Sequence, residues 1–242
     1  MLLYFHGGVW QRGDKGDYRN IGEALAARGV LTAIVNYRLT PPARHPDHVQ
    51  DADRAVAWAI RHAAAYGGRP DRVFLSGHSA GGHLVTLLAF EPQYLRAEGA
   101  EPKRLAGVIA FSGVFDLRKP IDDTPEGGFG RHIYPPFGRD PKVLDGASPI
   151  RHLHPIGVPL LIMLAGDDYR DMQAQSKVFV DALRQRSIPV EFEAIPGRGH
   201  FKLVQAIGTE GDPTTEIVTR FVLGRAELWK YPSTRDARPA AP

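Results

Sequence analysis

The chain of 242 residues contains no cysteine. Disulfides, thiolate catalysis and cysteine-ligated zinc are thereby excluded, and the redox compartment is left open. It also lacks any apolar run near the roughly 18–20 residues that a membrane-spanning helix needs. An integral membrane protein is therefore not expected, and no membrane is expected as a partner. Lys and Arg number 30 against 27 Asp and Glu, a net charge of only +3. They form no cluster of the kind that grips phosphates, so nucleic acid is not an expected partner either. There is no internal repeat and no clear linker. The first residues show no basic stretch followed by a long apolar core, so no signal peptide is read. A cytoplasmic setting is expected, unless an upstream segment has been removed.

What is present is ordinary for a globular chain: 43% hydrophobic and 24% charged residues. Short apolar runs at Leu2–Phe5, Leu31–Tyr37, Arg72–Ser76, Ala106–Phe111, Pro159–Ala165 and Val190–Ile195 read as strands. Most are apolar throughout, as strands covered on both faces are. Between them lie helical patterns at Tyr18–Arg28, Asp47–Tyr66, Ala80–Phe90, Asp171–Arg186 and about Thr214–Leu223. Alternating strands and helices predict an α/β fold with a mainly parallel sheet of about six strands and helices on both faces. Residues 1–224 form one catalytic domain on this reading. The stretch 113–157, rich in Pro and Gly, reads as a short lid-like excursion that is functional or carries small helices. Residues 225–242 read as a mobile polar tail.

Gly77-His78-Ser79-Ala80-Gly81 fits G-x-S-x-G and stands between a strand and a helix. In that context a sharp turn lifts the serine hydroxyl above the sheet, and flanking glycines remove the Cβ atoms that would clash. The helix N-terminus also favours negative charge beside Ser79. His6-Gly7-Gly8-Val9-Trp10 follows the first strand. Gly7 and Gly8 are expected to offer bare N–H groups to an oxyanion, with the N–H of Ala80 as third donor. His6 reads as a structural hydrogen-bonder.

Serine needs a base, and the sequence holds ten histidines. His45, His48 and His62 precede the nucleophile and are expected to be solvated. His78 sits beside Ser79 but points the wrong way to take its proton. His83 is expected to be buried against the sheet. His132, His152 and His154 lie in the excursion, and His152-x-His154 lacks a third zinc ligand, so no metal is expected. His200 ends Pro196-Gly197-Arg198-Gly199-His200, a loop directly after the last strand, where a base can swing over the sheet edge. The acid that orients it is to be sought after the strand ending at Ala165, among Asp167, Asp168 and Asp171.

Together, His6–Trp10, Gly77–His83 and Pro196–Phe201 resemble the α/β-hydrolase superfamily, in particular its small HGG-motif esterases of the hormone-sensitive-lipase and kynurenine-formamidase branches. Asn36-Tyr37-Arg38-Leu39 and Ala147-Ser148-Pro149-Ile150 are similar to further landmarks of that superfamily. The resemblance covers about Leu2 to Phe221. It implies a triad of Ser79, Asp168 and His200, because formamidase-like members place a Gln-Ser pair at a fixed distance after the acid and Gln175-Ser176 selects Asp168. The commoner esterase spacing from Gly166 would fall on Tyr169, which cannot serve. The resemblance also implies two further strands ahead of the first one, absent here.

The expected function is a serine carboxylesterase acting through an acyl-enzyme on short-chain or compact aryl esters, without cofactor. The alternative is an arylformamidase that cleaves N-formyl aryl amines, and a third reading is a non-catalytic ligand-binding homologue. Trp10, His78, Tyr169 and Phe201 are expected to line the substrate pocket, with Phe129 and Tyr134 from the excursion. With two strands absent, Leu31–Tyr37 becomes a sheet edge that lacks Pro and Lys. Either the natural product is expected to begin upstream, or this edge is expected to be covered by the tail Arg225–Pro242 or by a second copy in a homodimer.

Overall fold

The computed structural model describes residues 1–100, 104–118 and 130–228. Six strands form one sheet: β1 (Leu2–Phe5), β2 (Thr32–Val35), β3 (Val73–His78), β4 (Leu105–Phe111), β5 (Leu160–Ala165) and β6 (Val190–Ile195). Their order is β2-β1-β3-β4-β5-β6, and every neighbouring pair is parallel. The helices are α1 (Arg19–Ala26), α2 (Asp47–His62), α3 (Ala80–Phe90), α4 (Pro92–Ala97), α5 (Gly130–Phe137), α6 (Pro141–Gly146), α7 (Arg170–Gln185), α8 (Lys202–Gln205) and α9 (Pro213–Leu228). No helix among the described residues is long and apolar enough to cross a membrane.

The all-apolar strands follow from coverage on both faces. Leu3 and Phe5 of β1 join a core with α2, α3 and α7, while Leu2 and Tyr4 join a second core with α1, α8 and α9. β5 divides the same way, with Leu160 and Ile162 on one side and Leu161 and Met163 on the other. The period of two along a strand sends alternate side chains to opposite faces. The excursion carries α5, α6 and a short 3-10 turn at Pro149–His152. Phe129 lies outside the described residues. Tyr134 is partly buried, with the Arg139 guanidinium 4.1 Å over its ring.

Several boundaries differ from expectation by one or more residues. β3 runs two residues further, because Gly77 and His78 keep their register with Ala110 and Phe111 of β4. β2 is four residues rather than seven. The Asn36 side chain accepts from the Lys15 N–H (2.7 Å) and donates to Asp14 Oδ2 (2.8 Å), drawing the chain off the ladder. The Tyr37 hydroxyl then donates to the His6 carbonyl. β2 does form the sheet edge, but so short an edge strand is itself a protection against further pairing. α9 continues to Leu228, through the first four residues of the expected tail. The rest of that tail, residues 229–242, lies outside the described residues.

Asp53 departs from the apolar inner face of α2. It is 2% exposed, and its Oδ1 has no hydrogen-bond partner among the described residues. Burial first, and then the Glu98 carboxylate, push its pKa from 3.8 up to about 7, with Arg54 acting in the opposite direction. The unfolded chain thus loses this proton near the ordinary value and the folded chain only near 7, so folding weakens as pH rises between the two. Asp53→Asn is expected to be close to neutral for stability at about pH 4 and stabilising by about 1–3 kcal/mol at about pH 8. Urea denaturation at both pH values measures this, and a difference that does not grow with pH would show that Asp53 is not the group responsible.

Candidate active site

The C-terminal ends of β1, β3, β5 and β6 supply the site. Ser79 stands between β3 and α3 with φ 54° and ψ −115°. A serine in this left-handed region is strained, and its surroundings leave it no alternative. Its N–H donates to the Phe111 carbonyl at 2.9 Å, and its carbonyl accepts from the His83 N–H at 3.0 Å. A Cβ on Gly77 would fall 2.4 Å from the Gly81 backbone, and one on Gly81 would fall 2.0 Å from the Phe5 carbonyl oxygen. Only glycine fits at either position. Ala80 opens α3, where the first amides have no acceptor within the helix.

The loop after β1 is pressed against this turn. A Cβ on Gly7 would lie 3.2 Å from Ser79 Cβ and 2.8 Å from His78 Nδ1. Gly8, Val9 and Trp10 all have positive φ, at 118°, 52° and 58°. The Gly8 carbonyl accepts from the N–H groups of Gln11 and Arg12, both at 3.0 Å, and the Trp10 carbonyl accepts from Thr40 at 2.9 Å. Burial raises the Tyr18 pKa, and the nearby Gly7 backbone acts in the opposite direction. Gly7 remains a candidate oxyanion donor. Gly7 is small because it must admit the Ser79 turn. Gly8 stays a candidate donor, and Val9, whose φ is also positive, is a further one. Sequence reasoning missed Val9 because no β-branched residue signals positive φ.

His200 lies just beyond β6 and Asp168 just beyond β5, and these strands end side by side at Ala165 and Ile195. Pairing continues past the strands through Gly166 N–H to the Ile195 carbonyl (2.8 Å) and Asp167 N–H to the Arg198 carbonyl (2.9 Å). His200 Nδ1 and Asp168 Oδ1 are 2.8 Å apart, with the two residues only 8% and 6% exposed. A carboxylate oxygen accepts, so Nδ1 carries the hydrogen and Nε2 is left as the basic nitrogen. Asp168 is held in turn by the Tyr169 N–H on Oδ1 at 2.8 Å and by Gln173 on its carbonyl at 2.8 Å. Asp167 is exposed and Asp171 is buried in the first turn of α7. Gln175 anchors α7 to the end of β4, its Oε1 accepting from the N–H groups of Phe115 and Asp116.

The expected pocket walls divide into two pairs. Tyr169 and Phe201 are 59% and 46% exposed, and each ring centroid is 5.2 Å from that of His200. Trp10 and His78 are fully buried, so neither lines an open pocket. Trp10 meets the rings of His83 and Phe137 edge-on at 5.0 and 4.8 Å, because its left-handed backbone turns it inward between α3 and α5. His48 is likewise 1% exposed rather than solvated, with Nε2 3.2 Å from Thr40 Oγ1, and burial lowers its pKa to about 4. His45 is partly buried, and burial lowers its pKa to about 4 as well. His62 is exposed. His6 and His83 are buried, with ring nitrogens 2.7 Å from the Gly7 and Ala147 carbonyls. His152 pairs with Glu91 at 2.8 Å, and no group of three or more potential metal ligands occurs among the described residues.

Residues 1–183 match the family model BD-FAE. The probable carboxylic ester hydrolase LipM of Mycobacterium tuberculosis is 31% identical over 210 residues, covering 83% of this chain and 48% of LipM. The chain therefore spans about half of that relative's length. Kynurenine formamidase of Danio rerio is 25% identical over 92% of this chain and 72% of its own. Among solved structures, Thermogutta terrifontis esterase 2 phosphonylated by sarin superposes with a TM-score of 0.77 at 24% identity, covering 92% of this chain and 83% of that one. The acetyl ester-xyloside bifunctional hydrolase of Caldicellulosiruptor lactoaceticus does so with a TM-score of 0.77 at 20% identity, covering 93% and 82%. The parallel sheet, the strained serine turn between strand and helix, and the match over most of its length place this chain in the BD-FAE family, on the α/β-hydrolase fold.

Proposed function

We propose that the protein is a serine carboxylesterase for short-chain or compact aryl esters. The observation that carries this is the buried Asp168–His200 bond, set beside a serine held in a strained turn at a helix N-terminus. LipM and the Thermogutta enzyme bear esterase names, which supports the same chemistry. Ser79 Oγ attacks the ester carbonyl as His200 Nε2 takes its proton. The N–H of Ala80 and those of the loop Gly7–Val9 receive the developing oxyanion. Collapse expels the alcohol, which takes the proton back from Nε2. Water then attacks the acyl-enzyme with His200 again as base, releasing the acid and restoring Ser79. Asp168 keeps the Nδ1–H tautomer and stabilises the imidazolium. No metal or organic cofactor enters this scheme. Tyr169 and Phe201 flank His200 from the solvent side and serve as walls for the leaving group.

Formamide cleavage is the second reading, supported by the formamidase relative and by the Asp168–Gln175 spacing. An activity panel across acetate, butyrate and long-chain esters, aryl esters and N-formyl aryl amines decides between them. Highest kcat/KM on short or aryl esters is expected. Faster turnover of long-chain triglyceride emulsions would rule out the compact pocket, and faster turnover of formamides would replace the ester reading.

Ser79→Ala and His200→Ala are each expected to remove nearly all turnover while leaving the melting temperature close to that of the parent. Asp168→Asn is expected to lower kcat by on the order of 10⁴-fold, since the wrong tautomer would face Ser79. Asp167→Asn and Asp171→Asn are expected to stay within a few-fold of the parent. Near-normal kcat in Asp168→Asn would transfer the acid's role elsewhere.

A further inference from the structure

His78 is a buried titratable side chain that the proposed chemistry does not use. It lies between Gly77 and the nucleophile, fully enclosed, with its ring centroid 4.4 Å from that of His200. Its Nε2 stands 3.0 Å from the main-chain oxygen of His200. A carbonyl oxygen only accepts, so Nε2 carries the hydrogen and Nδ1 is bare. Nδ1 is buried without a partner among the described residues and faces Gly7, where an added Cβ would lie 2.8 Å away. A second proton would have no acceptor there. Burial, and then the neighbouring His200, depress the His78 pKa well below the ordinary histidine value.

The chain around His200 shows why the bond matters. Leu203 N–H donates to the Gly199 carbonyl, Val204 and Gln205 both donate to Phe201, and Ala206 donates to Lys202. The backbone bonds of this turn pass over the His200 carbonyl, and His78 takes it instead. Pro196–Phe201 is otherwise held mainly at its base, through Asp167 N–H to the Arg198 carbonyl and through Arg198 to Asp212 at 3.3 Å. Asp168 fixes the rotation of the His200 ring but does not fix where its backbone stands above Ser79.

We propose that His78 is a positioning residue: its Nε2–H ties the backbone of His200 to the nucleophile's own turn, so that base and nucleophile move as one body. This rests on the triad reading above, and it places His78 beneath the site rather than on a pocket wall. Loss of the tie is expected to act on kcat far more than on KM, because substrate contacts are untouched while Nε2 drifts from Ser79 Oγ.

Three variants test this. His78→Gln keeps an N–H donor at the depth of Nε2, His78→Asn places its donor at the depth of Nδ1, and His78→Leu has bulk without a donor. kcat is counted per site titrated to completion with a phosphonate ester, so unfolded molecules do not enter. Amide hydrogen exchange is followed over residues 197–203. His78→Asn and His78→Leu are expected to lose on the order of 10²-fold in kcat with KM within about twofold, the scale of a misplacement near 1 Å. Both should exchange faster over residues 197–203, and His78→Gln should recover most of both properties. A folded His78→Gln as impaired as His78→Leu would overturn the proposal, as would unchanged kcat per titrated site in His78→Asn and His78→Leu. If the parent protein neither turns over esters nor takes the phosphonate, the esterase reading fails by itself. Hydrogen exchange then still decides the tie, and unchanged exchange in His78→Asn and His78→Leu overturns it.

Discussion

Ser79 can be strained only because nothing around it can relax. A serine at φ 54° and ψ −115° sits above its resting state by about 1–3 kcal/mol. Easing that strain would require the turn to flatten, and the turn is wedged. Gly81 abuts the Phe5 carbonyl, Gly82 abuts Gly113, and Gly77 abuts Gly81. The strand register produces this contact, since Phe5 of β1 pairs with Gly77 of β3. Two central, fully buried strands therefore act as the anvil on which the turn is bent. The same register brings His6 and Gly7 alongside His78 and Ser79, so the loop expected to receive the oxyanion is placed by the sheet as directly as the nucleophile is.

The proposed base and acid obey a related constraint. β5 and β6 end in register, and short extensions carry Asp168 and His200 to the same height. β4 stands between them and the nucleophile strand, so its chain must leave the top of the sheet early. It does so at Ser112, where φ is 44° and the side-chain oxygen accepts from the Ala165 N–H at 3.2 Å. The departing segment is then secured by Gln175 and by Ser148, whose hydroxyl accepts from the Leu117 N–H at 2.8 Å. The Ala147-Ser148 landmark is thus a clasp that keeps the excursion off the reacting groups.

What could be read from the sequence was whatever leaves a pattern along the chain. Apolar runs marked all six strands, and glycines at fixed offsets marked the serine turn, because each glycine answers a clash that any Cβ would make. Direction was not legible. Trp10 and His78 stand next to catalytic motifs and were expected to line a pocket, yet both point into the core. Tyr169 and Phe201 stand equally close and point outward. The difference lies in backbone torsion, φ 58° at Trp10 for example, and torsion at a non-glycine residue leaves no trace in composition. His48 failed the same way: it was expected to be solvated, yet it packs against Thr40 and Phe137, which come from elsewhere in the chain.

Selecting one base from ten histidines is the sharpest case of this limit. Three buried rings, His6, His78 and His83, each place one nitrogen on a backbone carbonyl. That bond needs a donor, so each is committed to a neutral tautomer, and burial lowers the pKa of all three. They brace the fold, and their burial disfavours the charged ring that a second proton would create. Two others pair with carboxylates, His200 with Asp168 and His152 with Glu91, at the same 2.8 Å. Pairing therefore does not identify a base. Position separates the two pairs: Glu91 follows the last residue of α3, whereas Ser79 precedes its first. At about 1.5 Å per residue, the twelve steps from Ser79 to Glu91 separate them by roughly 18 Å. An acid-base pair at the far end of the nucleophile's helix cannot reach its hydroxyl, and only His200 combines a carboxylate on one nitrogen with a neighbour of Ser79 against its ring.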